Sequence, residues 1–363
     1  MNLHELGWNE FHEKNYNEIK TQTTFPARVV KADREKYLVY SAFGELTAEL
    51  RGILRFKPES MNTYPVVGDW VAAEMMDEGN TAIIAGVLPR MSKFSRKVAG
   101  DVTDEQVLVA NIDTVFLVNG LDGDYNLRRI ERYLSVTQEN KLTPVIVLNK
   151  TDMCPDVQEK IKEVETVALG IPIVTMSALN SDGIDNIRKY IVAGTTTAFL
   201  GSSGVGKSTI INRLLGEEKQ KVGAVRARDC RGMHITTQRE MILLPGGGIV
   251  IDNPGLRELQ LWINEGTLTK TFNDIQELAV GCKFSDCTHT NEPGCAVTSA
   301  IENGKLDDKR LQSYIKLKKE LKYLATRKLT KARNVKIVTE KKISKLVKQI
   351  YKHRRKNRYT VDN

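Results

Sequence analysis

The run Gly201-Ser-Ser-Gly-Val-Gly-Lys-Ser-Thr209 has the spacing G-x-x-x-x-G-K-[ST]. Its glycines, 201, 204 and 206, let the backbone turn tightly enough to aim several N–H groups at one cluster of oxyanions. Gly201, Ser202, Ser203, Gly204, Val205, Gly206, Lys207, Ser208 and Thr209 are therefore candidate phosphate contacts. Lys207 brings a point charge to the β- and γ-phosphates, which makes it a candidate catalytic group, and Ser208 offers a hydroxyl to Mg²⁺. The apolar run 196–200 precedes the loop as a strand, and 209–215 follows as a helix whose N-terminus favours an anion. A nucleoside triphosphate is the implied ligand.

The base is read elsewhere. Asn149-Lys150-Thr151-Asp152 closes the apolar run 143–148, and ligands of such sheets sit at strand carboxyl ends. Asp152 can accept from the ring N–H and the exocyclic amino group of guanine. Adenine presents no such donor pair, so the motif selects GTP over ATP. Asn149 and Lys150 can brace the base and the phosphate loop. Ser177-Ala178-Leu179 ends the next strand and can meet the guanine carbonyl with its backbone.

The γ-phosphate end has its own candidates. Asp252-Asn-Pro-Gly255 closes the apolar run 248–251. Asp252 can hold Mg²⁺ through water, and the Gly255 N–H can sense the γ-phosphate. Between the loop and Asp252 lies Arg231–Thr237, a switch candidate in which Thr236 and Thr237 are both possible magnesium ligands. Ras-type GTPases orient the attacking water with a Gln directly after D-x-x-G. Here that position is Leu256, which cannot. His234, in the switch, is the candidate for that task.

A second chemistry is compressed into 14 residues. Cys282-x₄-Cys287-x-His289-x₅-Cys295 gathers three of the five cysteines and one of the five histidines of the chain. Three thiolates and one imidazole suit a closed tetrahedral Zn²⁺ site, which is structural because no position stays open. Cys154 and Cys230 have no such company.

These groups need three kinds of scaffold. Residues 1–24 read as a partly helical polar arm. From 25 to 90, five short alternating runs (27–32, 36–41, 45–50, 70–74 and 81–87) predict a small antiparallel β-barrel. An OB-fold fits that count, with an SH3-like barrel as the competitor. Arg90, Lys93, Arg96 and Lys97 read as a basic linker. From 91 to 258, strands at 114–119, 143–148 and 173–176 alternate with helices at 126–138 and 157–169, the pattern of a parallel α/β sheet. Residues 259–330 turn helical around the cysteines. Residues 331–363 form a basic tail: between Arg327 and Arg358 stand 14 Lys/Arg and one acidic residue, Glu340. Such density implies a polyanionic partner.

The order of the motifs is unusual. Common GTPases run phosphate loop, switch Thr, D-x-x-G, N-K-x-D, S-A-x. Here N-K-T-D and S-A-L come first, so the domain is circularly permuted. In that order, with the barrel before and the cysteine cluster and basic tail after, nearly the whole chain resembles the ribosome-small-subunit-dependent GTPases, the RsgA/YjeQ family. The resemblance implies GTP hydrolysis stimulated by the 30S subunit during its late maturation, contact with 16S rRNA, zinc at Cys282, Cys287, His289 and Cys295, and a catalytic His234. Two segments depart from the family pattern: Gly232-Met-His-Ile-Thr-Thr237 stands for G-R-H-T-T-T, and Asp252-Asn-Pro-Gly255 for D-T-P-G. An alternative from another class is a GTP-regulated RNA- or DNA-binding protein in which slow hydrolysis is only a timer.

Bulk properties agree. The 363 residues carry 41% hydrophobic and 27% charged side chains with net charge +9, which fits a globular protein of several domains. No apolar run approaches membrane length and no basic-then-apolar leader opens the chain, so a cytoplasmic monomer without a membrane partner is expected.

Overall fold

The structure, a computed structural model, describes residues 1–33, 36–52, 64–76, 80–97, 105–216, 239–252, 268–269, 271–290, 292–319 and 322. His234, Thr236, Thr237, Gly255, Leu256 and the basic tail lie outside them. The described residues fall into two compact units, one running to Glu277 and the other starting at Leu278.

The first unit opens with helix α1 (Glu10–Ile19), capped at its N-terminus by Asn9, whose side chain accepts from the His12 N–H. Five strands come next: β1 (Thr24–Asp33), β2 (Lys36–Ser41), β3 (Gly44–Leu50), β4 (Trp70–Met75) and β5 (Thr81–Val87). Their order is β1-β2-β3-β5-β4, closed by pairing of β1 with β4. The barrel is not wholly antiparallel as expected, because β3 runs parallel to β5. That order is a five-stranded Greek-key barrel of the OB type. Alternation along β2 and β3 sends Tyr37, Val39, Leu46 and Ala48 inward, where they meet Val29, Val71 and Ile84.

The basic linker is also corrected. Lys93–Lys97 is a strand, β6, paired antiparallel with β7 (Glu105–Ala110). Arg90 is ion-paired to the buried Asp69, both carboxylate oxygens lying 2.7 Å from its guanidinium. A hairpin that returns after residues beyond short-range pattern leaves no local turn signal to read.

The α/β part then alternates as the sequence predicts, except that the helix expected over 157–169 ends at Glu165. Strands β8 (Thr114–Gly120), β9 (Thr143–Asn149), β10 (Ile173–Thr175), β11 (Thr196–Leu200), β12 (Glu240–Leu243) and β13 (Ile249–Asp252) alternate with α2 (Leu127–Glu139), α3 (Val157–Glu165), α4 (Ile184–Arg188) and α5 (Lys207–Leu215). The order is β10-β9-β8-β11-β13-β12, parallel except for β12. β8 is buried at nearly every position, as a strand covered on both faces must be. Phe116, Val118, Val147, Phe199 and Ile210 are among the residues of that core. β12 also pairs with β1 at Lys31 and Glu240, so barrel and α/β sheet continue into one another.

The arm is less polar than its composition reads. Leu6, Trp8 and Tyr16 are buried with Trp70, Ala72 and Leu88. Trp8 meets Trp70 edge-on at 4.7 Å, and His12 lies within 6 Å of both rings. The second unit contains α6 (Asn273–Ala279) from Leu278 onward, α7 (Ala296–Glu302) and a helix over 308–319. No described helix is long and apolar enough to cross a membrane.

His12 sets a pH dependence. Burial, then the charge of Arg28, lowers its pKa to about 4 against a weaker opposing effect of Asn111. The folded protein therefore holds His12 neutral while the unfolded chain protonates near pH 6.5. Its contribution is complete above pH 6.5 and is lost as pH falls toward 4, by up to about 3 kcal/mol. Thermal melts should show His12→Phe losing less stability than the parent between pH 6.5 and 4.5; equal losses would remove His12 as the cause.

Candidate guanine-nucleotide site and metal centre

Strand β11 ends at Leu200 and α5 begins at Lys207, so residues 201–206 form the turn between them at the carboxyl edge of the sheet. β11 lies between β8 and β13, which places the loop centrally. Gly206 has φ +103, and a Cβ there would stand 2.2 Å from Asn149 Nδ2. Only glycine permits both that conformation and that approach. The Lys207 ammonium donates to the carbonyls of Gly201 and Ser202 at 2.7 and 2.6 Å, folded over its own loop. Ser208 lies in the first turn of α5, half-buried. Asp252 is the last residue of β13, beside β11.

The base motif is tied to this loop. Asn149, 2% exposed, donates from Nδ2 to the Val205 carbonyl at 2.8 Å and accepts at Oδ1 from the Ala178 N–H at 2.9 Å. One amide thus joins the strand end, the phosphate loop and the Ser177–Leu179 segment. Lys150 takes φ 65 as the chain turns out of β9, and the Thr151 N–H donates to the Met176 carbonyl. Asp152 is exposed and accepts from the Ser177 hydroxyl, which leaves carboxylate lone pairs for a base. The Lys150 ammonium is held by Asp122, 2.5 Å away.

Sequence reasoning passed over three contributors. Arg213 of α5 donates to the carbonyls of Ala178 and Leu179, at 3.3 and 2.9 Å, and so fixes the segment that carries no side-chain signal. Asp122 and Asp124 come after β8; their only signal is a D-x-D at a strand carboxyl end.

In the second unit the four predicted ligands converge. The ligand atoms of Cys282, Cys287, His289 and Cys295 all lie within 4.8 Å of one another. His289 Nδ1 is 3.6 Å from the sulfurs of Cys282 and Cys295, which are 3.9 Å apart. Thiolates about 2.3 Å from a tetrahedral ion stand about 3.8 Å apart, so the donor set fits a metal of zinc's size and softness. Cys295 caps α7, its sulfur accepting from the Thr298 N–H. Glu292 accepts from the N–H groups of Thr288 and Thr290, which fixes the turn on either side of His289.

A family profile described as RsgA GTPase matches residues 87–262, and one described as 50S ribosome-binding GTPase matches 196–341. The chain is 46% identical over 336 residues to the small ribosomal subunit biogenesis GTPase RsgA of Opitutus terrae, covering 90% of this chain and 92% of the relative. It is 42% identical to RsgA 1 of Oceanobacillus iheyensis, covering 99% of this chain and all of the relative. This chain belongs to the RsgA family of small ribosomal subunit biogenesis GTPases. Among solved structures, YjeQ from Thermotoga maritima matches with TM-score 0.59 and 29% identity, over 82% of this chain and 98% of that one. YloQ, a circularly permuted GTPase, shares the fold with TM-score 0.57 at 24% identity, over 83% and 96%. The 50S profile covers only the phosphate-loop region and the residues after it, whereas these two RsgA relatives match 90% and 99% of this chain, so the latter decide the family.

Asn149 is the cheapest place to test the geometry. Asn149→Ala removes two buried hydrogen bonds that pre-order the site, so up to about 2 kcal/mol of ordering, or roughly thirtyfold in GDP affinity, shifts to the binding step. Fluorescence titration with a labelled GDP should read that loss; an unchanged affinity would mean the brace does not serve the ligand.

Proposed function

We propose that this GTPase hydrolyses GTP on the 30S subunit late in its maturation, slowly alone and faster when the subunit engages it. The observation that carries the reading is the joining of N-K-T-D to the phosphate loop through Asn149 in a chain related to RsgA proteins along its whole length. Asn149, Lys150, Thr151 and Asp152 bind the guanine side, with Ser177, Ala178 and Leu179 closing around it. Residues 201–209 bind the phosphates.

When bound with the nucleotide, Mg²⁺ neutralises charge on the β- and γ-phosphates. Ser208 and Asp252 would hold it together with Thr236 or Thr237. Lys207 leaves the carbonyls of Gly201 and Ser202 and turns to the phosphates. Leu256 cannot orient water, so His234 takes that role, and turnover is slow until the partner engages the switch. The barrel and the basic tail supply contacts to 16S rRNA. Cys282, Cys287, His289 and Cys295 hold a structural Zn²⁺. A donor set of four protein ligands leaves no open position, which argues against catalysis there.

The deciding experiment is GTP turnover with purified 30S subunits, with 50S subunits and with neither, at two salt concentrations. Turnover should rise with 30S alone, and the rise should shrink steeply with salt as counterions compete for the phosphate contacts. His234→Ala should abolish the stimulated rate while leaving GDP affinity in place. Absence of stimulation by 30S, or equal stimulation by 50S, would overturn the reading.

For the metal, elemental analysis should return one zinc per chain. Chelation should raise hydrogen exchange across residues 278–319, because so small a unit owes much of its stability to the ion. Unchanged exchange after the metal is removed would mean that it does not hold the fold.

A further inference from the structure

The loop between β8 and α2 carries two carboxylates that base and phosphate recognition leave unused. Asp122 accepts from the Lys150 ammonium at 2.5 Å, both side chains being 20% exposed, and from the Asp124 N–H. Gly120 makes the room: a Cβ there would stand 2.6 Å from Asp122 Oδ1. Asp124 accepts from the Ser202 hydroxyl and from Arg129, whose guanidinium nitrogens lie 3.1 and 3.0 Å from its two oxygens.

Two carboxylates beside a loop built for a polyanion are electrostatically adverse unless each is neutralised and each does something in return. Both conditions hold. Lys150 offsets Asp122 and Arg129 offsets Asp124. Partial burial would raise the Asp122 carboxyl, but the hydrogen bonds from Lys150 and the Asp124 N–H outweigh it and hold it below its ordinary value. In return, Asp122 fixes the far end of Lys150, so that its alkyl stem has one direction beside the base. Asp124 fixes Ser202, whose carbonyl also receives Lys207.

We propose that residues 121–126 are a third positioning element for the guanine nucleotide, Asp122 acting through Lys150 on the base and Asp124 acting through Ser202 on the phosphate loop. The inference rests on reading 149–152 and 201–209 as the nucleotide site, and it assigns positioning residues rather than catalytic ones. Both are pre-organisation: the side chains are held before the ligand arrives, so less ordering is left for binding to oppose.

The two halves predict different signatures. GDP and GTP share the base, so Asp122→Asn should weaken GDP and a non-hydrolysable GTP analogue by the same factor, about tenfold. Asp124→Ala and Ser202→Ala remove the two ends of one hydrogen bond. Their effects on GTP-analogue affinity should therefore be non-additive, the double variant binding about as weakly as the weaker single one. The probes are fluorescent GDP and an imido GTP analogue, with thermal melts of the ligand-free variants as a fold check. Asp122→Asn is isosteric, and Asp124→Asn, which gives up the charge-assisted bond but keeps the shape, replaces Asp124→Ala in the cycle should the latter misfold.

A control separates the inference from its foundation. Asp152→Asn should shift preference from guanosine to xanthosine diphosphate, because the amide can donate to the xanthine carbonyl. If that shift occurs while Asp122→Asn binds within about twofold of the parent and the Ser202 cycle is additive, the positioning role is wrong and the site reading stands. If Asp152→Asn leaves base preference unchanged, the site reading fails and the proposal falls with it.

Discussion

Among the described residues, one buried cation ties the parts of the first unit together. Arg28 of β1 is 1% exposed and donates to the carbonyls of Leu6, Gly68 and Asn111 and to the Thr196 hydroxyl. It also lies over the Trp70 ring, 5.5 Å from the centroid. Burial lowers its pKa to about 10, resisted by Asp113 and Asp69, so it stays charged at neutral pH. An unpaired guanidinium in that position would cost several kcal/mol. Arm, barrel and α/β sheet must therefore all be in place for its donors to be satisfied. The neighbouring polar groups obey the same demand: Asn111 spans Met91 and Gly68, and Asp113 accepts from the Thr196 N–H.

That constraint reaches the nucleotide site through a short path. Thr196 is the first residue of β11, and five residues later the strand becomes the phosphate loop. The loop is then gripped from the other side by Asn149 and by Asp124 through Ser202. Phosphate and base segments are far apart in sequence, yet one amide joins them across a few ångströms. The site is consequently built on strand ends whose positions are fixed by buried polar groups, the arrangement that places donors accurately before a ligand binds.

The sequence was most informative where a motif coincided with a strand end. The five barrel runs, the alternating strands and helices, the strand–loop–helix around the phosphate motif and the gathering of three cysteines with His289 were legible because each depends on local period or spacing. What escaped it depends on tertiary position. Arg28 reads as an ordinary basic residue on a strand, since nothing local shows that its neighbours are carbonyls rather than water. Asp122 and Asp124 read as a turn, because Asp-Gly-Asp is turn chemistry in isolation. The β6–β7 hairpin was hidden by its lysines and arginine, and the parallel pairing of β3 with β5 is a matter of topology that alternation cannot reveal. Trp8 was opaque for the same reason: its partner, Trp70, is 62 residues away.

The permuted order leaves the sheet itself unaltered and changes what its ends connect to. β11 stays central between β8 and β13, so the phosphate loop keeps its place beside the base motif whichever segment the chain visits first. The difference falls on the strands β12 and β13. β12 hydrogen-bonds to β13 on one side and to barrel strand β1 on the other. Its partner β13 ends in Asp252, which opens the D-x-x-G segment. In a domain of the common order, the chain after this strand would continue into the base-reading half. Here the base-reading half has already been made, and the chain after Asp252 is free to lead into the unit that holds the Cys₃His cluster. Permutation thus places the strand that ends in D-x-x-G between two other modules, joined to the barrel through β12 and followed in the chain by the unit that holds the Cys₃His cluster.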